Sequence, residues 1–458
     1  MTGLQISDSV LRSAGDAAGA LCVPEGVTAI GDRAFSACTD LTELTLPEGL
    51  TELGEGAFFN CIRLRRVTLP ATLRRIGAGA FRWCGALEAL RLPAGLTEIA
   101  DESFFGCAAL TELSIPAGIS RIGSWAFYGC SALRTLALPD TLRRIEDSAF
   151  RGCASLEELT LPEGLEAVGS RAFFGCESLK SVSLPRSLRE LDPDAFFGCP
   201  SLEEYRAEAG GAFSTVDGVL YSADMRTLLA FPPASMLRRC AVPEGVEEIA
   251  PAAFFGAGEL REITLPERVK RIGAAAFVGA GAASVRLPRT LEILADDAFA
   301  GRQSPVAICA DPETAARLEK FVYLGAIDDL PERLRPAAAA GYLWAVEHGI
   351  PDVSRFRASY LAHFRAERER YLSFAAEDET LLLQLLEAEV VPTEALEGLL
   401  AAAARRERPD LTAALLDYQR RHFGAAPAPL DLGGETEEPP AAAPAPPPDS
   451  PFYGTGDR

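Results

Sequence analysis

Histidine is almost missing from this chain. Only His348, His363 and His422 occur. Everything before them is without an imidazole, which excludes most hydrolytic and zinc chemistry over that long stretch. Lysine is as scarce, with Lys180, Lys270 and Lys320 alone, so nearly all positive charge is arginine. No apolar run approaches the roughly 18 residues of a membrane-spanning helix, so no membrane insertion is expected. The start, MTGLQISDSVLRSAGDAAG, lacks a basic segment followed by an apolar core. A secretory signal is therefore not expected there, and the expected location is cytoplasmic. Glycine-rich phosphate loops are also lacking. Positive charge is in deficit, with 44 Lys+Arg against 65 Asp+Glu and a net charge of −21. Nucleic acid is not an expected partner, because its binding rests on Lys and Arg neutralising phosphates.

What is present is repetition. Prolines stand at Pro24, Pro47, Pro70, Pro93, Pro116, Pro139, Pro162 and Pro185. Phenylalanines keep the same 23-residue step from Phe35 through Phe58 and Phe81 to Phe196, and cysteines from Cys38 through Cys61 and Cys84 to Cys199. Three registers sharing one period define a repeat architecture. Within one unit, Leu44 and Leu46 alternate with Glu43 and Thr45, the period of a strand with one buried face. Pro47 follows at the strand end, where its missing N–H is tolerated. A second short extended piece carries Leu50 and Leu53, and Gly54 suits a tight bend. EGAFFNC then reads as a short helical turn with Ala57, Phe58 and Cys61 inward. One unit cannot bury these groups alone, whereas stacked units bury them as columns.

The expected fold is a leucine-rich-repeat solenoid, with parallel strands, short helical turns and about twelve turns. It resembles the BspA-like leucine-rich repeats of bacteria, whose phrase LPxxLxxIGxxAFxxC stands here at Leu69–Cys84 and Ile115–Cys130. The resemblance covers about residues 1 to 305. It implies fold strongly and ligand hardly at all. Relatives of this type include surface adhesins and often carry a D-G-V-L-Y hairpin between repeats. Here Val216-Asp217-Gly218-Val219 and Tyr221 read as such a hairpin, an insertion near 206–239. Units resume at Pro243, Pro266 and Pro288, with Ala257 and Ala280 in the cysteine column.

The domain reading is thus a solenoid over 1–310, a small all-α domain over 311–423 and a disordered acidic Pro/Ala-rich tail over 424–458. Phe356, Tyr360 and Phe364 form an i, i+4, i+8 stripe in the helical region. That region either covers the solenoid end or binds a partner.

The cysteine column is the most tempting chemistry. Zinc needs about four converging ligands, and a ladder spreads them along a line. Disulfides need closer Cβ atoms than one strand spacing gives. The thiols therefore read as small apolar filler. Two outer stripes remain. On the strand face stand Arg66, Arg91, Glu112 and Glu158. After the inner phenylalanine comes an aromatic ridge of Phe59, Phe105, Tyr128, Phe174, Phe197 and Phe255, with Trp83 and Trp125 nearby and with Arg82 and Arg151 interrupting it. Aromatics and arginine are enriched at interface hot spots. The opposing reading lays these rings flat on the neighbouring turn, where they complete the core.

The expected function is a non-catalytic protein–protein interaction scaffold, not an enzyme, with no cofactor and no metal. A surface adhesin is the alternative, disfavoured by the missing signal peptide. An enzyme in the helical region would draw on His348, His363, His422, Glu347 and Tyr342, whose spacing matches no motif.

Overall fold

The computed structural model describes residues 3–301, 306–318 and 320–424. The expected tail lies, beyond Gly424, outside them. Two compact units divide the chain, Met1–Pro305 and Val306–Arg458.

Each turn of the first unit has three sides. The first side is a short strand with one inward residue between two outward ones. Ala89–Arg91, Glu112–Ser114 and Thr135–Ala137 pair in parallel, one period apart, so that Leu113 faces Leu90 on one side and Leu136 on the other. Those leucines are buried. Twelve such strands run from Gly19–Cys22 to Ser284–Arg286 among the described residues. The second side is a two-residue strand: Glu98–Ile99, Arg121–Ile122 and Arg144–Ile145 pair in the same way, with isoleucine inward. A parallel sheet of this kind leaves no slack in register, because a one-residue slip would turn every inward leucine outward.

The third side carries the phenylalanine. Its helical character is limited to isolated i→i+3 turns, such as Phe59 N–H to Gly56 O and Cys61 N–H to Phe58 O. Alternate N–H groups point instead to the next repeat, as Gly56 to Ala78 O, Phe58 to Ala80 O and Asn60 to Arg82 O. Left-handed residues explain why no helix propagates: Gly56 and Asn60 have φ of 56° and 62°, and the same two positions recur left-handed in later repeats. Inside this side, Phe35, Phe58, Phe81, Phe104, Phe127, Phe150, Phe173 and Phe196 stack in one file. Their centroids lie 5.0 to 5.5 Å apart at interplanar angles of 5° to 28°. The file is closed to water, with Phe35 to Phe173 fully buried.

A hairpin, Gln5–Ser7 against Val10–Ser13, starts the second side and pairs in parallel with Ala29–Ile30. The insertion is a three-stranded meander rather than a single hairpin. Phe213–Val216 and Val219–Ser222 pair antiparallel across Asp217-Gly218, both with positive φ, the geometry a two-residue hairpin turn requires. Thr227–Ala230 then pairs antiparallel with Val219–Ser222 and in parallel with Glu248–Ile249, so it founds the second side of the resumed repeats. Phe231, Phe254 and Phe277 begin a second inner file.

The second unit is not purely helical. Val306–Cys309 and Phe321–Tyr323 form a parallel pair. Phe321, Val322 and Tyr323 are all buried, so the strand shows no alternation to read. Helices Arg335–Glu347, Arg357–Ala366, Glu379–Glu387, Thr393–Arg405 and Pro409–Phe423 follow, with shorter pieces between. Gly341 lets the first of these lie against the strand, since a Cβ there would sit 1.8 Å from Phe321 O.

Candidate interaction surface

The cysteine column lies beside the phenylalanine file, and its thiols are hydrogen-bond donors. Cys61, Cys84, Cys107 and Cys130 Sγ point at the carbonyl oxygens of Phe35, Phe58, Phe81 and Phe104, at 3.1 to 3.4 Å. Burial pushes the Cys107 and Cys153 thiols far up, and that of Cys130 to about 12. All eleven cysteines are unpaired. A neutral, buried donor has neither the thiolate nor the access that thiol chemistry needs.

Outside the phenylalanine file runs a second one. Its members follow the buried phenylalanine by one residue and are themselves half-buried to exposed. The two arginines do not interrupt this stripe; they are rungs of it. Arg82 lies over the Phe105 ring at 4.8 Å. Phe105 stacks on Tyr128 at 4.4 Å and 11°. Arg151 lies over both Tyr128, at 5.8 Å, and Phe174, at 4.5 Å. Phe174 stacks on Phe197 at 5.7 Å, and Phe197 meets Phe255 at 4.2 Å. The ladder thus crosses the insertion unbroken. Guanidinium planes stack on aromatic faces as a ring does, which is why arginine substitutes here and lysine would not. Arg82 is closed further by an ion pair with Glu102, and its Nε is buried without a hydrogen-bond partner among the described residues.

Phe59 stands at the start of the ladder, 36% exposed and with no ring contact among the described residues. Trp83 caps it from the side. Its ring meets Phe105 edge-on at 5.1 Å and lies across Gly106, yet it stays 45% exposed. Trp125 is 46% exposed. Both tryptophans have positive φ, 64° and 56°. Equivalent positions hold Ala37, Asn60, Gly106 and Gly129 in the first case and Arg33, Gly56, Gly79, Glu102, Ser148 and Arg171 in the second, all with positive φ. A bulky residue there is strained and keeps its place only where something else holds it.

The strand face is milder. Arg66, Arg91 and Glu158 all point outward, and Arg66 pairs with Glu43 of the preceding repeat. Glu112 sits in the same column of strands, and its side chain is outside the described residues. A shallow depression lined by Leu113, Thr135, Leu136, Glu158 and Thr160 marks this face.

In the helical unit the five candidate groups keep separate company. His348 stacks on Trp344 and contacts its carbonyl oxygen at 2.8 Å. His363 Nε2 lies 3.0 Å from the Tyr371 hydroxyl, and burial holds its imidazole below the usual histidine range. His422 lies against Tyr418. Tyr342 donates to Gln384 Oε1, and Glu347 is exposed. Among the described residues no group of three His, Cys, Asp or Glu is placed to hold a metal, and no helix is long and apolar enough to cross a membrane.

Residues 19–134, 97–210 and 230–311 match the family described as BspA type Leucine rich repeat region (6 copies). Among solved structures, a leucine rich cell surface protein of Faecalibacterium prausnitzii is 24% identical, with a TM-score of 0.51 over 72% of this chain and 92% of that one. That likeness is one of fold. A leucine-rich repeat protein of Bacteroides ovatus is 24% identical over 64% of this chain and 94% of its own, with a TM-score of 0.40. The leucine rich repeat protein of T. pallidum is 29% identical over 39% and 87%, with a TM-score of 0.36. No curated protein matches the chain.

Proposed function

The chain belongs to the BspA-type leucine-rich repeat family, and from that premise we propose that it is a non-catalytic scaffold that binds a protein partner along its outer aromatic ladder. The observation that carries this is Trp83, half-exposed and held at positive φ with its ring edge-on to Phe105 in a file of stacked rings and guanidinium groups, with Trp125 half-exposed at positive φ as well. A surface serving stability alone gains little from a half-exposed tryptophan at a left-handed position, where ring packing is offset by backbone strain. Rigid aromatics and pre-placed arginine are the side chains that give most binding energy for least ordering cost. The separate engagement of His348, His363 and His422 supports a non-catalytic reading. The net charge of −21 supports a protein rather than a nucleic acid as partner.

We place the scaffold in the cytoplasm. Eleven unpaired cysteines suit a reducing compartment. A second reading, a surface adhesin, draws on the described location of the Faecalibacterium neighbour. Fractionation of the source cells separates the two. The scaffold reading itself is tested by affinity capture with the full chain and with Trp83→Gly. A protein held by the first and lost by the second supports it. Identical captures from both would end it.

A further inference from the structure

Among the ladder's two arginines, Arg82 already has a carboxylate, that of Glu102. Arg151 has none among the described residues, although Asp and Glu outnumber Lys and Arg in the chain. It is held instead by two aromatic faces, Tyr128 and Phe174. Stacking fixes the plane of a guanidinium and leaves its edge donors to hydrogen-bond within that plane, the arrangement that takes a carboxylate in two parallel bonds. Because the rings have already fixed the group, little further ordering is lost when a carboxylate arrives.

We propose that the ladder binds an extended acidic segment of a partner protein, with a carboxylate on Arg151 and apolar or proline side chains laid on the rings toward Trp83. This names the partner class for the scaffold reading above and rests on it. Charge complementarity selects the occupant: Arg151, which has no carboxylate among the described residues, calls for an anion, and a basic segment would meet it head-on. The form of the occupant follows from the ladder's shape. The inner rings advance 5.1 to 5.5 Å per repeat between Phe81 and Phe150, so three repeats separate Arg82 from Arg151 by about 16 Å. An extended chain at about 3.3 Å per residue covers that in about five residues, and polyproline conformation at about 3.1 Å per residue does the same. A single file of rings offers a line of contact, and proline-rich segments dock on aromatic-lined lines with little entropy to lose.

The test uses the full chain and two synthetic peptides, repeats of Glu-Pro-Pro and of Lys-Pro-Pro, each about fifteen residues long, enough to overrun the ladder. Tryptophan emission and calorimetry read binding. The acidic peptide should bind, with affinity falling about fivefold or more in Arg151→Gln and also falling in Arg151→Lys, which keeps the charge and loses the fork. Unchanged thermal melting shows that both variants remain folded. Equal or tighter binding of the lysine peptide overturns the proposal, as does an unchanged affinity in folded Arg151→Gln, or no binding of either peptide. Sedimentation that shows a dimer dissolved by Trp83→Gly would give the ladder to a second copy and overturn it as well. If the peptides fail while Trp83→Gly still abolishes capture of a cellular protein, the partner class falls and the scaffold stands. If that capture is unchanged, the scaffold reading falls too.

Discussion

A cysteine in each of the first eight repeats looks like chemistry and acts as a hydrogen-bonding methyl-sized group. Each thiol is small enough for the space beside the phenylalanine file and gives its one proton to a carbonyl oxygen of the repeat before. Cys130 reaches Phe104 O at 3.4 Å. Ala257 and Ala280 occupy the same column and are buried as fully. The thiol must stay protonated to do this, and that fixes a pH dependence. Burial lifts the folded Cys130 to about 12, whereas an unfolded cysteine ionises near 8.5. Protonation is therefore favoured in the folded state. The corresponding stability is complete below about pH 8.5 and is lost as pH rises toward the folded value. Cys130→Ala should cost about 1–2 kcal/mol near neutrality, from the lost bond and volume. Between pH 7.5 and 10 the native chain should lose on the order of 2 kcal/mol more than the variant. Urea denaturation of both proteins at the two pH values measures this. Equal losses would mean that the thiol is not held in its neutral form.

At the scale of the single turn, the third side is governed by which residues accept a left-handed backbone. Trp83 and Gly106 occupy equivalent places in successive repeats, and the ring of one fills the space left by the missing side chain of the other. A Cβ at Gly106 would lie 2.5 Å from Trp83 Cε3, on a residue whose φ is +75°. Gly106→Ala should therefore cost more than the roughly 1 kcal/mol of left-handed strain alone. Trp83→Gly trades ring packing for relief of its own strain and should change stability by about 1 kcal/mol or less. In the Trp83→Gly background the alanine should become cheaper by about 0.5–1 kcal/mol, since only the strain remains. Denaturation of the four proteins gives the coupling, and strict additivity would show that the ring does not sit on Gly106. Such a pairing was not legible in the sequence, where tryptophan and glycine share no class. The inner columns were legible because Phe81 recurs in the same letter through the repeats and Cys84 through the first eight. The outer ladder was legible only in its aromatic letters. Arg82 and Arg151 read as breaks, although a guanidinium plane continues a stack as well as a ring does. EGAFFNC forms short turns with Ala57, Phe58 and Cys61 inward as its spacing implies, but spacing carries no sign of φ and so did not show the left-handed residues that keep those turns isolated. The strand Phe321–Tyr323 escaped because a segment buried on both faces has no alternation.

At the scale of the whole solenoid, the repeats are interchangeable where they touch, and this can be tested by taking one out. Deleting residues 109–131 removes one full period together with Phe127 and Tyr128. The inner file then sets Phe104 against Phe150, ring on ring as before. Cys153, which now donates to Phe127 O at 3.4 Å, would find Phe104 O in the same place. In the outer ladder Arg151 would lie on Phe105 instead of Tyr128, so a cation–aromatic rung is kept. The second side exchanges its pairs. Arg121 and Arg144 are adjacent like charges, and both lean on Glu146. Without Arg121, its ion pairs with Glu98, Asp101 and Glu146 go, the like-charge contact with Arg144 goes too, and Glu98 faces Arg144 instead. Stability in a stacked array is a sum of repeat and nearest-neighbour terms, so losing one interior unit subtracts a share and leaves the rest cooperative. The shortened chain should remain folded, with an unchanged spectrum per residue and a melting temperature lowered by a few degrees, about what 1–2 kcal/mol does to a chain of this size. Removing only residues 109–119 would instead set a strand beside a phenylalanine turn, and circular dichroism should then show the array lost on one side of the cut. If both deletions melt alike, register between like columns is not what holds the molecule together.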